Sequence, residues 1–188
     1  GLSVSGTFDA TDDVETDETF ITTDGDVTFA SGSAVTIDQS TITFDAASGT
    51  DNIFNGGTQD LYNLVINGTV TVEVEDAIDV NGDLTITSGT LDVVSGENNS
   101  INLAGSWDND ATFEARSGTV TFDAASGTHT IDADGTGTDT FYDITFNDSA
   151  GSAEWDLTGA LDVANDLAIV GGTLDNSATS YSINIGGG

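Results

Sequence analysis

The sequence predicts an all-β fold, a β-solenoid (parallel β-helix) of short coils, and three observations predict it. Apolar residues alternate with polar ones at a period of two, no segment carries helical periodicity, and a block of about 80 residues occurs nearly twice.

The alternation runs along the whole chain. Ile42 and Phe44 alternate with Thr41 and Thr43, and Val70, Val72 and Val74 with Thr69, Thr71 and Glu73. Ile78 and Val80, Leu84 and Ile86, and Ile101 and Leu103 follow suit. So do Val120 and Phe122, Ile144 and Phe146, Leu161 and Val163, Leu167 and Ile169, and Ile183 and Ile185. Alternation puts each set on one side of a strand. The residues are β-branched, leucine or aromatic, and Gly, Asn, Asp and Ser punctuate them.

The repeat is carried by four blocks in the same order. "FDAASGT" at Phe44–Thr50 returns at Phe122–Thr128, 78 residues on. "LYNLVIN" at Leu61–Asn67 matches "FYDITFN" at Phe141–Asn147, 80 residues on. "AIDVNGDLTITSGTLD" from Ala77 matches "ALDVANDLAIVGGTLD" from Ala160, and "SINLAG" from Ser100 matches "SINIGG" from Ser182. The drifting offset is the mark of small loop insertions in a duplicated structural unit. Residues 1–39 then form degenerate, acidic N-terminal coils, with Gly25–Gln39 a worn relative of the repeat. Residues 40–117 are unit 1 and residues 118–188 unit 2 of one elongated domain.

Tandem β-sandwich domains with strand exchange between subunits would also show short strands at close spacing. The solenoid is preferred because the apolar runs are very short, often two inward residues, and the turns are small and rich in Gly, Asn and Asp. At about 20 residues per coil a unit is about four coils, and the chain makes a rod about 40–45 Å long.

Composition narrows the function. There are 33 acidic residues against one basic residue, Arg116, for a net charge of −32. Nucleic-acid binding needs Lys and Arg to neutralise phosphates, so that class is disfavoured, as are anionic membrane surfaces. Like-charge repulsion destabilises the compact chain unless salt or bound cations screen it, which points to a salty or cation-rich setting. The absence of cysteine removes disulfides, thiolate metal sites and thiol catalysis together. No apolar run approaches the ~20 residues of a membrane helix, so direct membrane insertion is not expected.

The order "GTVTFDAASGTHTI", "FYDITFN", "ALDVANDLAIVGGTLD", "SINIGG" resembles the repeats of long secreted microbial surface proteins, the adhesin-like, filamentous-haemagglutinin-like β-solenoids. The resemblance covers roughly residues 40–188 and rests on spacing and turns. It implies secretion to the cell surface, a structural or adhesive role, and no catalysis.

Candidate sites are few. "DADGTGTD" offers Asp132, Asp134 and Asp139, with carbonyls near Gly135 and Gly137, as the oxygen ligands that Ca²⁺ takes. It lacks the twelfth-position Glu of an EF-hand, and the first copy has no such aspartates, so a solvated loop is the competing reading. Asp9–Glu18 and Asp24–Asp26 read as a solvated acidic face, with diffuse cation binding as the functional alternative, and Asp108–Asp110 as a turn. His129, the only histidine, has no Ser/His/Asp constellation about it, and Arg116 either pairs with neighbouring carboxylates or simply tolerates a loop position. Trp107, Trp155, Tyr62 and Tyr142 are of the type that stacks on sugars, although Trp155 aligns with the inward Val72. Recurring Asn63/Asp143 and Asn102/Asn184 predict side-chain ladders or corner hydrogen bonds.

The expected protein is therefore a non-catalytic, extracellular subunit or repeat segment of a filament, sheath or surface layer. Neither end shows a capping helix, so either the chain is cut from a longer array or its ends are covered by neighbours; the second case predicts head-to-tail homopolymer contacts, with Gly1–Phe8 as one donor strand. An adhesin stalk carrying Ca²⁺ and contacting glycans or another cell is the alternative. A carbohydrate-active β-helix enzyme is third.

Overall fold

The computed structural model describes residues 1–9, 20–36, 39–56, 59–133 and 140–186. Within them the chain winds around three faces, always in the order face 1, face 2, face 3. It starts with β1 (Leu2–Val4) on face 1, β2 (Thr7–Asp9) on face 2 and β3 (Phe20–Thr23) on face 3. The next coil is β4 (Val27–Phe29), β5 (Ala34–Thr36) and β6 (Thr41–Phe44). Then come β7 (Thr50–Phe54), β8 (Asp60–Leu61) and β9 (Asn63–Val74), which turns the corner from face 3 to face 1 without a break. β10 (Ile78–Val80) lies on face 2, and β11 (Leu84–Asp92) turns the same corner as β9. β12 (Ile101–Leu103), β13 (Trp107–Asn109) and β14 (Thr112–Glu114) take faces 2, 3 and 1, and β15 (Thr119–Phe122) and β16 (Gly127–Asp132) take faces 2 and 3. Phe141 then holds face 1 through a bridge to Val163. β17 (Asp143–Asn147), β18 (Ala153–Leu157) and β19 (Leu161–Val163) complete that coil and open the last, made of β20 (Leu167–Gly171), β21 (Thr173–Asp175) and β22 (Ile183–Ile185).

Every strand pairing among the described residues is parallel. No helix occurs among them, so the predicted all-β solenoid is the observed fold. Face 2, for instance, stacks β8, β10, β12, β15, β17 and β20 in unbroken order. Buried parallel sheets ordinarily need cover on both sides. Here each face supplies the inner cover of the other two, and the outer sides carry Thr, Asp, Asn and Glu.

The core is one column. Ile42, Phe44, Leu64, Ile66, Val72, Val80, Ile86, Leu103 and Phe122 are buried along it. Most of its aromatic side chains gather between Trp107 and Trp155. Trp107 meets Phe113 and Phe141 at centroid distances of 4.8 and 5.0 Å, Phe122 stacks on Phe146 at 5.1 Å, and Phe146 meets Trp155 at 5.2 Å. Both tryptophans are thus core residues, closed to any sugar. "DND" is not a simple turn: β13 runs through Asn109, which is buried and accepts a hydrogen bond from the Ala111 N–H at 3.1 Å.

The duplication does not stack on itself. "TITF" of β6 lies on face 3, yet its counterpart "TVTF" of β15 lies on face 2. β10 on face 2 corresponds to β19 on face 1, and β12 on face 2 to β22 on face 1. Each block moves by eleven faces, or three and two-thirds coils rather than four, so the second copy is turned by one face about the axis. The three corners must be nearly interchangeable for this to work. The sequence shows why they are: after "F-D-A-A-S" comes a glycine in the left-handed region in both copies, Gly49 (φ 108°) and Gly127 (φ 96°), and Ala46 and Ala124 are buried behind it.

Candidate functional site

Face 3 carries a run of polar groups on successive coils. Thr85, Asp108 and Asp132 occupy successive coils in direct register on its outer side. Beside them runs a column of side chains that clamp the next coil's backbone. Asn63 Oδ1 accepts the Asp83 N–H at 2.8 Å, Asp83 Oδ1 accepts the Ser106 N–H at 2.8 Å, and Ser106 Oγ accepts the Thr130 N–H at 3.1 Å. Asp83, Thr85, Ser106, Asp108, Thr130, Asp132 and Thr158 line an open groove of about 500 Å³. Burial, then Asp110, raises the Asp108 carboxyl above the usual carboxylate range. The groove offers carboxylates and hydroxyls, a lining suited to cations and hydroxyl donors and hostile to anions.

Of the predicted Ca²⁺ ligands, Asp132 is therefore on β16, in register with Asp108. Asp134 and Asp139 lie outside the described residues, as does most of the acidic stretch Asp9–Glu18. Asp26 is structural: its Oδ1 accepts the Asn52 backbone and side-chain N–H groups, each at 2.8 Å.

One cluster escaped the sequence. Glu154, Asp156 and Asp175 bring one carboxylate oxygen each to within 4.8 Å of one another. β18 and β21 pair with Asp156 opposite Asp175 and Glu154 opposite Thr173, which places the three on one outer side of face 3. The Asp156 charge, then burial, raises the Glu154 carboxyl, while the Ser177 hydroxyl and N–H lower that of Asp175. Three half-buried carboxylates at this spacing could hold a hard cation. The signal was present as "EWD" and "TLD", but only the register of two strands nineteen residues apart joins them.

Arg116 does pair, donating to Asp92 and approaching Glu114. His129 Nε2 lies 3.1 Å from the Ser126 carbonyl oxygen and serves the corner. The predicted ladders are found as well. Asn184 Nδ2 donates to Asp162 Oδ1 at 2.5 Å, Asn102 bonds Asp79, and Asp143 Oδ1 accepts the Asp166 N–H at 3.1 Å as Asn63 does for Asp83. No protein-family model, curated protein or solved structure matches the chain.

Proposed function

We propose that this chain is a structural, non-catalytic extracellular protein, a subunit or repeat segment of a cell-surface filament, sheath or layer that assembles end to end. One observation carries the reading. The described residues form one continuous parallel stack of coils around a single buried apolar column, with the duplicated blocks supplying successive coils. A stack of this kind grows by adding coils along its axis. Electron microscopy of the purified chain in high salt, with and without millimolar Ca²⁺, tests it. Filaments one rod wide are expected, and isolated short rods under every condition would sink the reading.

The Glu154, Asp156 and Asp175 cluster favours a second reading, an adhesin stalk that carries Ca²⁺ and contacts glycans or another cell. Monomeric rods that take up Ca²⁺ and are retained on immobilised glycans would support it over the first.

A further inference from the structure

Nine of the chain's thirteen asparagines spend their side chains on the fold, as Asn63 does on Asp83 and as Asn99 Nδ2 does on the Val74 carbonyl oxygen at 2.7 Å. The other four, Asn67, Asn81, Asn98 and Asn147, are exposed, and their side chains have no partner among the described residues. Three of these four open an Asn-x-Ser/Thr triplet, "NGT" at Asn67, "NNS" at Asn98 and "NDS" at Asn147. None of the nine engaged asparagines does. Ser and Thr are abundant enough here for such triplets to arise by chance, but chance does not sort them onto the side chains that the structure leaves idle.

The fold itself calls for none of the three. Asn67 and Asn147 are counterparts in the duplication, and in both copies the next coil slips register opposite them, where Asn67 meets Ser88 and Asn147 meets Gly171. Their side chains take no part in that irregularity. Asn98 has a left-handed backbone, φ 56°, which favours asparagine on its own. Yet Ser180 takes the same conformation, φ 59°, ahead of the matching "SIN" block, so the corner does not need an asparagine.

The placement is regular. β9 carries Asn67 around the corner from face 3 to face 1, Asn98 lies on the corner from face 1 to face 2, and Asn147 ends β17 at the corner from face 2 to face 3. Had the copies stacked in phase, Asn67 and Asn147 would share one edge of the rod. The offset of eleven faces puts them on different corners, about 18 Å apart along the axis at ordinary strand spacing.

An Asn-x-Ser/Thr triplet on an exposed turn of a secreted chain is the acceptor for N-linked glycosylation. We propose that Asn67, Asn98 and Asn147 carry N-linked sugars, one on each corner of the rod. The proposal rests on the extracellular reading above and adds a modification to it. In each transfer Nδ2 attacks the anomeric carbon of a glycosyl diphosphate carried on a lipid or a nucleotide. The N–C bond forms as the C–O bond to the diphosphate breaks. The diphosphate leaves with the electron pair, and the amide gives up one proton to the transferase. The Thr69 hydroxyl donates to the Ala47 carbonyl in the finished coil, so the sugar joins Asn67 before that corner closes.

Peptide mass spectrometry of the chain isolated from its native cells, from inside and from outside them, tests this. Arg116 is the only tryptic site, so an acid-directed protease makes the peptides. Sugar-bearing peptides are expected at the three triplets, with Asn81, also exposed but followed by "GD", left bare. Thr69→Ala, Ser100→Ala and Ser149→Ala, expressed in the same cells and checked for fold by circular dichroism, each remove one hydroxyl and keep the asparagine. Each should lose the sugar at its own site alone, and Thr69→Ser should retain it. Sugar on Asn81, or sugar that survives loss of the hydroxyl, overturns the assignment. A bare chain recovered outside the cells overturns the proposal and leaves the extracellular reading standing. A bare chain found only inside them overturns both.

Discussion

Arg116 grips Asp92 of the preceding coil with two parallel hydrogen bonds, Nε to Oδ1 at 2.9 Å and Nη2 to Oδ2 at 2.7 Å. Asp92 is buried, and Asp92 is stacked directly on Glu73 and under Glu114. One guanidinium therefore quiets a column of three acids, and the hydrogen bonds to Asp92 make it harder still to deprotonate. It does so from a left-handed backbone conformation, φ 51°, that a side chain tolerates poorly. Arg116→Ala strands the Asp92 charge and should cost about 1–2 kcal/mol, the half-exposed site tempering the loss. The double variant with Asp92→Ala should be less destabilised than Arg116→Ala alone, since no buried charge remains unpaired. Urea denaturation of the three proteins measures this, and equal losses for the single and double variants would refute it.

Ile86 and Ile169 occupy one position in the repeat and different environments in the rod. Ile86→Ala empties a fully covered site and should cost about 2–5 kcal/mol, while Ile169→Ala in the monomer should cost under ~1 kcal/mol. Thermal unfolding of dilute protein reads both. In filaments the gap between the two variants should narrow, because the second site is then covered.

Gly89 and Gly172 are equivalent corner residues with φ of 87° and 79°. A Cβ on Gly89 would lie 2.5 Å from the Val70 carbonyl oxygen, and one on Gly172 would lie 2.5 Å from Trp155 Cζ3. Either change to Ala should destabilise by more than ~1 kcal/mol, whereas Gly6→Ala, with open space around it, should be silent. Chemical denaturation ranks the three directly.

The elements were legible because burial in a coil imposes a period of two on short runs, and Ile42, Phe44, Val120 and Phe122 declare it without ambiguity. The duplication was legible too. Its phase was not, because the turn length that decides whether eleven or twelve faces separate Phe44 from Phe122 has no marker in the sequence. The same limit hid the Glu154, Asp156 and Asp175 cluster, which exists only through strand register.

Asp51 points inward from β7 onto Val72, at the position His129 fills in the second copy, and its Oδ2 is buried without a hydrogen-bond partner. Burial, then Asp26 and Asp24, raises its carboxyl above the usual range, and burial leads the rise at Asp79 and Asp123. A raised folded value means that the folded chain holds the proton more tightly. The contribution to stability is complete below about pH 4 and is lost as pH rises through the raised value. Asp148 runs the other way. Backbone N–H groups of Ala153 and Ala150 lower its carboxyl, so its contribution is present above about pH 4 and is lost on further acidification. The melting temperature should therefore climb as pH falls through the raised values and fall again only in acid below about pH 4. Asp51→Val should raise it at pH 7 and flatten the climb. A melting temperature that falls steadily from pH 7 downward would refute the assignment.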